Sequence, residues 1–310
     1  MNLKHPRQVA MDPMTPYRVS TITATGSVNT EINLDIFYDA LTICGDEDEE
    51  GVVYAEYGKK KSDTVYKGFC KKFLVNKRKV STTSKRFDNQ VTIVYKKTEV
   101  GFVSLLNIKI FKNGNVQITG IKYIEQGHQM IDRLINLLRG VHDPEIMKNP
   151  EDLCNKNYSI CLINSDFKIG FPIKRELLYK VFTTTYENDC SFEPCIYPGV
   201  KIEYFFNRLN AITPGGICGC TKECITGKGS GKVDGQCKKI TIAVFQSGCV
   251  IITGAQSHEQ INEAYAFIRG VLLKHQPEIE KKNMVPLPEE LPRKVILINK
   301  KNIKYLVVDA

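Results

Sequence analysis

Residues 245–254 read FQSGCVIITG and residues 111–120 read FKNGNVQITG; six of the ten positions coincide in order, as Phe, Gly, Val, Ile, Thr and Gly. A hairpin written twice in one chain points to an internal repeat, and a repeat governs the whole architecture. In the strand leading into the first copy, LNIKIF, alternation sends Ile108 and Ile110 to one face and Lys109 and Phe111 to the other. In ITIAVF, Ile240, Ile242 and Val244 share one face, and Thr241, Ala243 and Phe245 share the opposite one. A two-residue loop at Asn113-Gly114 would pair Phe111 with Val116. The register expected here is a three-residue loop with the glycine left-handed, pairing Phe111 with Gln117. It keeps Val116 and Ile118 on the core side, with Gln117 and Thr119 beside Phe111. In the second copy it buries Val250 and Ile252 and leaves Ile251 and Thr253 beside Phe245. Each sheet then carries an aromatic and a threonine on the face away from its helices. Ordinary core packing is the commoner fate of phenylalanine, and one copy alone would not outweigh it.

The chain of 310 residues is long enough for two domains with substantial cores. A hydrophobic fraction of 42% with 25% charged residues is that of a soluble globular protein. The net charge of +9 favours a polyanionic partner, although solubility alone also accounts for it. No apolar run approaches membrane-spanning length, and the N-terminal MNLKHPRQVAMDP lacks the apolar stretch of an export signal. A cytosolic or nuclear setting without membrane attachment is therefore expected. The 11 cysteines, an odd number, then read as reduced thiols rather than a disulfide framework.

A helix follows each hairpin. SHEQINEAYAFIRGVLLKH opens with Ser257 as N-cap and Gln260 three residues on, and places Ile261, Ala264, Ile268 and Leu272 on one stripe. The earlier equivalent, YIEQGHQMIDRLINLLRG, sets Ile131, Leu134 and Leu138 in helical register. Before each hairpin block lies another helix candidate, at residues 32–41 and 171–182, itself preceded by a strand. The order strand, helix, strands, hairpin, helix occurs twice. It defines an N-terminal arm at 1–16, repeat one at 17–146, repeat two at 157–276 and a C-terminal tail at 277–310. Repeat one carries an insertion at about 44–83, with an acidic run from Asp46 to Glu50 and a basic stretch from Lys59 to Arg86. Repeat two carries a Cys/Gly-rich insertion at about 208–237. Charge runs are most often solvated faces or loops. The tail segment KVILINKKNIKYLVV reads as a strand added to a sheet edge or as a docking segment for a partner.

With FPIKRELL, FEPCIYPG, AVFQSGCVIITGA and INEAYAFI, the second repeat closely resembles the second repeat of the TATA-box-binding protein family. The first repeat matches through YRVST, SKRF at 84–87, IFKNGNVQITG and Lys122. The match lapses at the insertions and at both ends, and a version with such insertions resembles those of large DNA viruses. The resemblance implies an α+β fold of two pseudo-symmetric repeats, each a curved antiparallel sheet with two helices on its convex side, together forming a saddle. It implies that the concave face binds the minor groove of double-stranded A·T-rich DNA and that two aromatic pairs wedge into base steps and bend the duplex. Matched residue by residue, Phe87 and Phe111 are the first pair, and Tyr197 and Phe245 the second. Thr119 and Thr253 match threonines that touch base edges, Val19 matches an apolar floor residue, and Arg86 and Lys122 match DNA-contacting cations. FEPCIYPG resembles the stirrup gripped by initiation factor IIB, which makes Glu193 a partner-binding residue. The implied partners are a TFIIB-like factor and the RNA polymerase machinery. The implied role is a non-enzymatic initiation factor, acting in a nucleus, a cytoplasmic viral factory or a virion.

Several positions depart from that pattern. The paired asparagines of the family's concave face fall at Tyr17 and at Leu162 or, with a shift, Asn164. Cations are replaced by Asn115, Cys249 and Gln256, and Glu203 falls where an arginine would meet phosphate, so affinity and salt slope should both be lower. The basic stretch from Lys59 onward either replaces those contacts or points away from DNA. Cys218, Cys220, Cys224 and Cys237 are spaced C-x-C-x3-C-x12-C, enough thiolates for a structural zinc but without the usual C-x2-C knuckle. A loop of reduced thiols is the competing reading. Two further functions compete with promoter binding: a protein-interaction scaffold that keeps the fold but has lost DNA contact, and an enzyme. No paired catalytic carboxylates, nucleophile elbow or phosphate loop supports the last, since GKGSGK at 227–232 lacks the Walker spacing.

Overall fold

A computed structural model describes residues 14–45, 50–59, 63–68, 89–208, 214–220, 229, 231, 237–281, 298–299 and 302–303. Among the described residues, eleven strands form one antiparallel sheet. From one edge inward run β3 (Asp63–Gly68), β2 (Glu50–Lys59), β4 (Gln90–Glu99), β5 (Phe102–Phe111), β6 (Asn115–Ile121) and β1 (Arg18–Ser27). The sheet continues through β7 (Lys156–Lys168), β11 (Cys249–Ala255), β10 (Lys238–Val244), β9 (Val200–Phe206) and β8 (Cys190–Ser191). This is the two-repeat α+β architecture expected from the sequence, joined where β1 meets β7.

The two halves are related by a pseudo-dyad written into the register. Ile22 and Ile163 pair with each other. On either side of them Ala24 faces Ile118 as Ser165 faces Ile252, and Ser27 faces Asn115 as Lys168 faces Cys249. Two of the three irregularities are symmetric: Val19 pairs with Ser165 and Ala24 with Ile160, which leaves Ser20 and Cys161 as bulged extra residues.

Both hairpins turn through three residues with a left-handed glycine. Gly114 (φ 79) and Gly248 (φ 81) donate their N–H groups to the carbonyls of Phe111 and Phe245 at 2.9 and 3.0 Å. The register differs from expectation: Ile110 pairs with Val116 and Val244 with Val250, so Phe111 stands opposite Asn115 rather than Gln117. A shift of two residues leaves every side chain on its expected face, because the strand period is two. Val116, Ile118, Val250 and Ile252 are buried, whereas Gln117, Thr119, Ile251 and Thr253 are half-exposed.

Helices cover one side of the sheet. Among the described residues they are α1 (Leu34–Ala40), α2 (Ile124–Arg139), α3 (Arg175–Val181), α4 (His258–Lys274) and the short α5 (Gln276–Ile279). The Asn33 side chain caps α1. At α4 the Ser257 hydroxyl accepts from the Gln260 N–H at 3.4 Å while the Gln260 amide accepts from the Gln256 N–H at 2.7 Å, a local reason for the helix to start there. Their apolar stripes join Ile22, Ile108, Ile118, Ile163, Ile242 and Ile252 in one continuous core.

Two tyrosines cross the dyad. The Tyr17 hydroxyl donates to Asn262 on α4 at 2.7 Å, and its ring meets Tyr265 edge-on at 5.5 Å. Tyr158, beginning the second repeat, donates to the Ile124 carbonyl at 2.8 Å and lies 3.8 Å from the His128 ring on α2. The first strand of each repeat is thereby fastened to the long helix of the other.

Burial, with nearby Glu125, pushes Tyr158 up to about 12; burial, with Glu263, does the same for Tyr204. The hydrogen bond to Glu99 raises Tyr123 to about 12 as well. A raised tyrosine pKa means that the fold prefers the neutral phenol. The associated stabilisation is complete below the ordinary tyrosine value near 10 and is lost as pH rises towards 12. The thermal midpoint should therefore fall across that alkaline window, and less so in Tyr158→Phe, as followed by circular dichroism against pH.

The structure revises several expected boundaries. Residues 50–59 and 63–68 of the first insertion are sheet strands, while 46–49, 60–62 and 69–88 lie outside the described residues. Lys67, in the basic stretch, donates to the carbonyls of Tyr38, Asp39 and Leu41 at 2.9, 2.9 and 3.1 Å, closing the C-terminus of α1. In the second repeat, packing runs past the expected end at 276. Ile279 is fully buried, and the Lys281 N–H donates to the Pro172 carbonyl at 2.9 Å. Of the tail, Ile298–Asn299 pairs with Asn302–Ile303 and not with the edge of the main sheet.

Candidate nucleic-acid interface

The face opposite the helices is assembled by alternation from the partners of the buried residues. Around the dyad it carries Thr21, Thr23, Leu162 and Asn164, because Thr21 pairs with Asn164 and Thr23 with Leu162. Thr119 and Thr253 flank them. Thr119 pairs with Thr23, and its hydroxyl donates to the Asn107 carbonyl at 3.5 Å. The Thr253 hydroxyl donates to the Asn164 side chain in a short hydrogen bond. Small hydroxyl and amide groups at the centre can donate to or accept from a polar surface without obstructing its approach.

Val19, expected here, and Tyr17, at a position the family gives to asparagine, are not on this face. The bulge at Ser20 inserts one residue, and one extra residue reverses the alternation beyond it. Val19 therefore pairs with the fully buried Ser165 and packs against the core from the helix side. It is not a floor residue. Tyr17, two residues earlier, faces α4 for the same reason, so it does not stand where a central asparagine would.

The second aromatic pair is brought together. Tyr197 and Phe245 have ring centroids 5.6 Å apart with planes inclined by 59°. The pair lies over Gly199, where a Cβ would come within 2.9 Å of Tyr197 and 3.1 Å of Phe245. The YPG string is the sequence signal for that floor. The Lys201 ammonium lies 4.2 Å from the Tyr197 ring centroid, and burial raises the Tyr197 pKa, so the hydroxyl stays neutral at ordinary pH. Of the first pair, Phe111 is half-exposed and lines a hollow with Thr25, Asn115 and Gln117. Phe87 and its neighbour Arg86 lie outside the described residues.

Charges on the open face are partly neutralised from within. Glu203 receives Lys239 at 2.8 Å across β9 and β10, and Asp166 receives Arg18 at 2.8 Å across the dyad. The Lys122 ammonium donates to the Ser20 carbonyl at 2.6 Å, beside the bulge. At the rim, the loop holding Glu193 and Cys195 turns tightly, with Ile196 and Tyr197 donating their N–H groups to the Glu193 carbonyl at 2.9 and 2.8 Å. Arg175 of α3 anchors it through the Pro198 carbonyl at 2.5 Å. Both Glu193 and Cys195 are exposed, and Ile196 between that pair and the wedge is 85% exposed. The expected cysteine set is represented by Cys218, Cys220 and Cys237, whose sulfurs lie within 4.8 Å of one another; Cys224 lies outside the described residues.

Residues 232–275, which span β10, β11 and α4, match the family model for transcription factor TFIID, or TATA-binding protein. A TATA-box-binding protein-like protein of Acanthamoeba polyphaga mimivirus is 29% identical over 281 residues, covering 88% of this chain and 69% of the relative. Over most of its length the chain is similar to a TATA-box-binding-protein-like protein. The solved structure of a Methanococcus jannaschii TBP aligns over 84% of this chain and 99% of its own, at 14% identity and a TM-score of 0.47. In this TBP-like chain, sequence reasoning placed Phe111, Phe245, Thr119 and Thr253 on the face away from the helices but missed three features. These are the Glu203–Lys239 and Arg18–Asp166 pairs, which join residues from different strands, and Lys201 beneath Tyr197, which joins β9 to the loop before it. Among the described residues, no helix is long and apolar enough to cross a membrane.

Proposed function

We propose that this chain binds A·T-rich double-stranded DNA in the minor groove through its open face and bends the duplex by wedging aromatic pairs into base steps. It acts as a non-enzymatic initiation factor of a large DNA virus and recruits a TFIIB-like factor and RNA polymerase. The observation that carries this reading is the Tyr197–Phe245 pair, raised over Gly199 at the end of the threonine-rich face opposite the helices. Wedges of this kind unstack bases at a cost of a few kcal/mol per step, which the added contact with bent DNA offsets. The exposed rim at Glu193 and Ile196 supports the partner assignment, offering an acid beside an apolar contact.

The test is energy transfer across an end-labelled duplex with a central A·T-rich segment, titrated at several salt concentrations. Saturable shortening that weakens with salt is expected. In the same assay Glu203→Gln frees Lys239, and the salt slope should steepen by roughly 0.9, the value of one additional released counterion. A second reading, a protein-binding scaffold, is favoured by the two internal ion pairs and by the commitment of Lys122 to a backbone carbonyl. Absence of shortening at low salt with folded protein would select it.

A further inference from the structure

We propose that Cys218, Cys220 and Cys237 form a zinc-binding clasp at the end of the second repeat. The Cys237 sulfur is 3.5 Å from that of Cys218 and 3.4 Å from that of Cys220. Tetrahedral zinc with Zn–S bonds near 2.3 Å sets its sulfurs about 3.8 Å apart, so the three already stand close to three corners of the shell. A disulfide, with its S–S bond of about 2.05 Å, could join only two of them and would leave the third thiol against the pair.

The surroundings fit a thiolate set. Cys237 is fully buried, and the Asn207 amide, itself 3% exposed, donates to its sulfur at 3.4 Å. An N–H aimed at sulfur favours the ionised form, and a buried anion requires a countercharge. Soft thiolates select zinc over magnesium or calcium. On binding, each S–H releases its proton to solvent as its Zn–S bond forms, with no change of oxidation state.

The fold gives the clasp a task. In the first repeat β4 and β5 are joined by the turn at Val100 and Gly101, whereas β9 and β10 are joined by residues 207–237. So long a connection costs closure entropy. Tying Cys218 and Cys220 to Cys237 closes most of it. Gly216 (φ 76) makes the approach possible, since a Cβ there would lie 2.2 Å from the Tyr204 ring. On the return, the Gly231 N–H donates to the Cys237 carbonyl at 3.0 Å and the Lys239 N–H to the Gly229 carbonyl at 2.7 Å. Alternation along β10 places Cys237 with Lys239 and Phe205 on the open-face side, apart from the main core.

The experiment uses the full chain, purified with reductant, stripped of metal by chelator and shown to be folded by circular dichroism. Titration with cobalt(II) should reach one ion per chain, with thiolate-to-cobalt charge transfer and tetrahedral d–d absorption that zinc then bleaches. Zinc should also raise the thermal midpoint. Because Cys237 is fully buried and its replacement risks unfolding, the half-exposed pair carries the mutational arm. Cys218→Ser with Cys220→Ser should keep the circular dichroism spectrum and lose stoichiometric binding. Folded wild-type chain without charge-transfer absorption at stoichiometric cobalt would overturn the proposal, as would unchanged absorption in the double variant. Neither outcome depends on DNA binding.

Discussion

Replacing Phe111 and Phe245 together by alanine is expected to abolish DNA bending and to weaken binding on the order of 100-fold or more, while leaving the protein folded. Stacking of a base on an aromatic side chain is worth about 1–3 kcal/mol, and the double variant removes one such contact from each repeat. The fold should survive because both rings are half-exposed on the face opposite the helices and neither belongs to the main core. Each stands at the strand end before a hairpin whose turn is held by backbone bonds from Gly114 or Gly248, and truncation leaves those bonds in place. Energy transfer reports the bend, and titration at fixed salt reports the affinity. Bending and affinity indistinguishable from wild type would remove the wedge mechanism and leave the scaffold reading. The single variants should differ: loss of Phe245 also removes a face of the Tyr197 ring, so it is expected to be the more damaging of the two.

Phe167→Ala should cost about 3–5 kcal/mol, the range for large-to-small changes at a filled aromatic site. Phe167 is 2% exposed and meets Tyr265 edge-to-face, with centroids 4.8 Å apart and planes at 82°. Its position in the other repeat is Gly26, as the pairs Gly26–Val116 and Phe167–Val250 establish. There a Cβ would lie 2.4 Å from Ile131 Cδ1, so a smaller pair occupies the space that Phe167 and Tyr265 occupy across the dyad. The two halves share a register but fill it differently. At about 2–4 °C per kcal/mol for a unit of this size, the thermal midpoint should fall by roughly 10 °C in Phe167→Ala. Gly26→Ala should cost much less, because the obstructing atom is the movable end of a side chain. A Phe167→Ala midpoint within a degree or two of wild type would mean that this contact does not hold the β7 side of the core.

The amino-acid sequence by itself determined the repeat, the faces of the hairpin strands, the left-handed glycines and the starts of the long helices. Each depends on residues within a few positions of one another: a period of two, a glycine three residues after a phenylalanine, a serine followed by a glutamine. The same alternation placed Phe245, Thr119 and Thr253 on the face away from the helices, whereas Tyr197 entered only through the family resemblance. The tertiary structure alone decided what depends on pairing between strands far apart in the chain. A bulge exists only relative to a partner strand, so the one at Ser20, which turns Val19 and Tyr17 towards the helices, left no local mark. The crossing of Tyr17 and Tyr158 between repeats, the internal neutralisation of Glu203 and Asp166, and the meeting of Cys237 with Cys218 and Cys220 have the same origin. Side chains that meet across the sheet or across a long loop are brought together by the packed core, and no spacing along the chain encodes that distance.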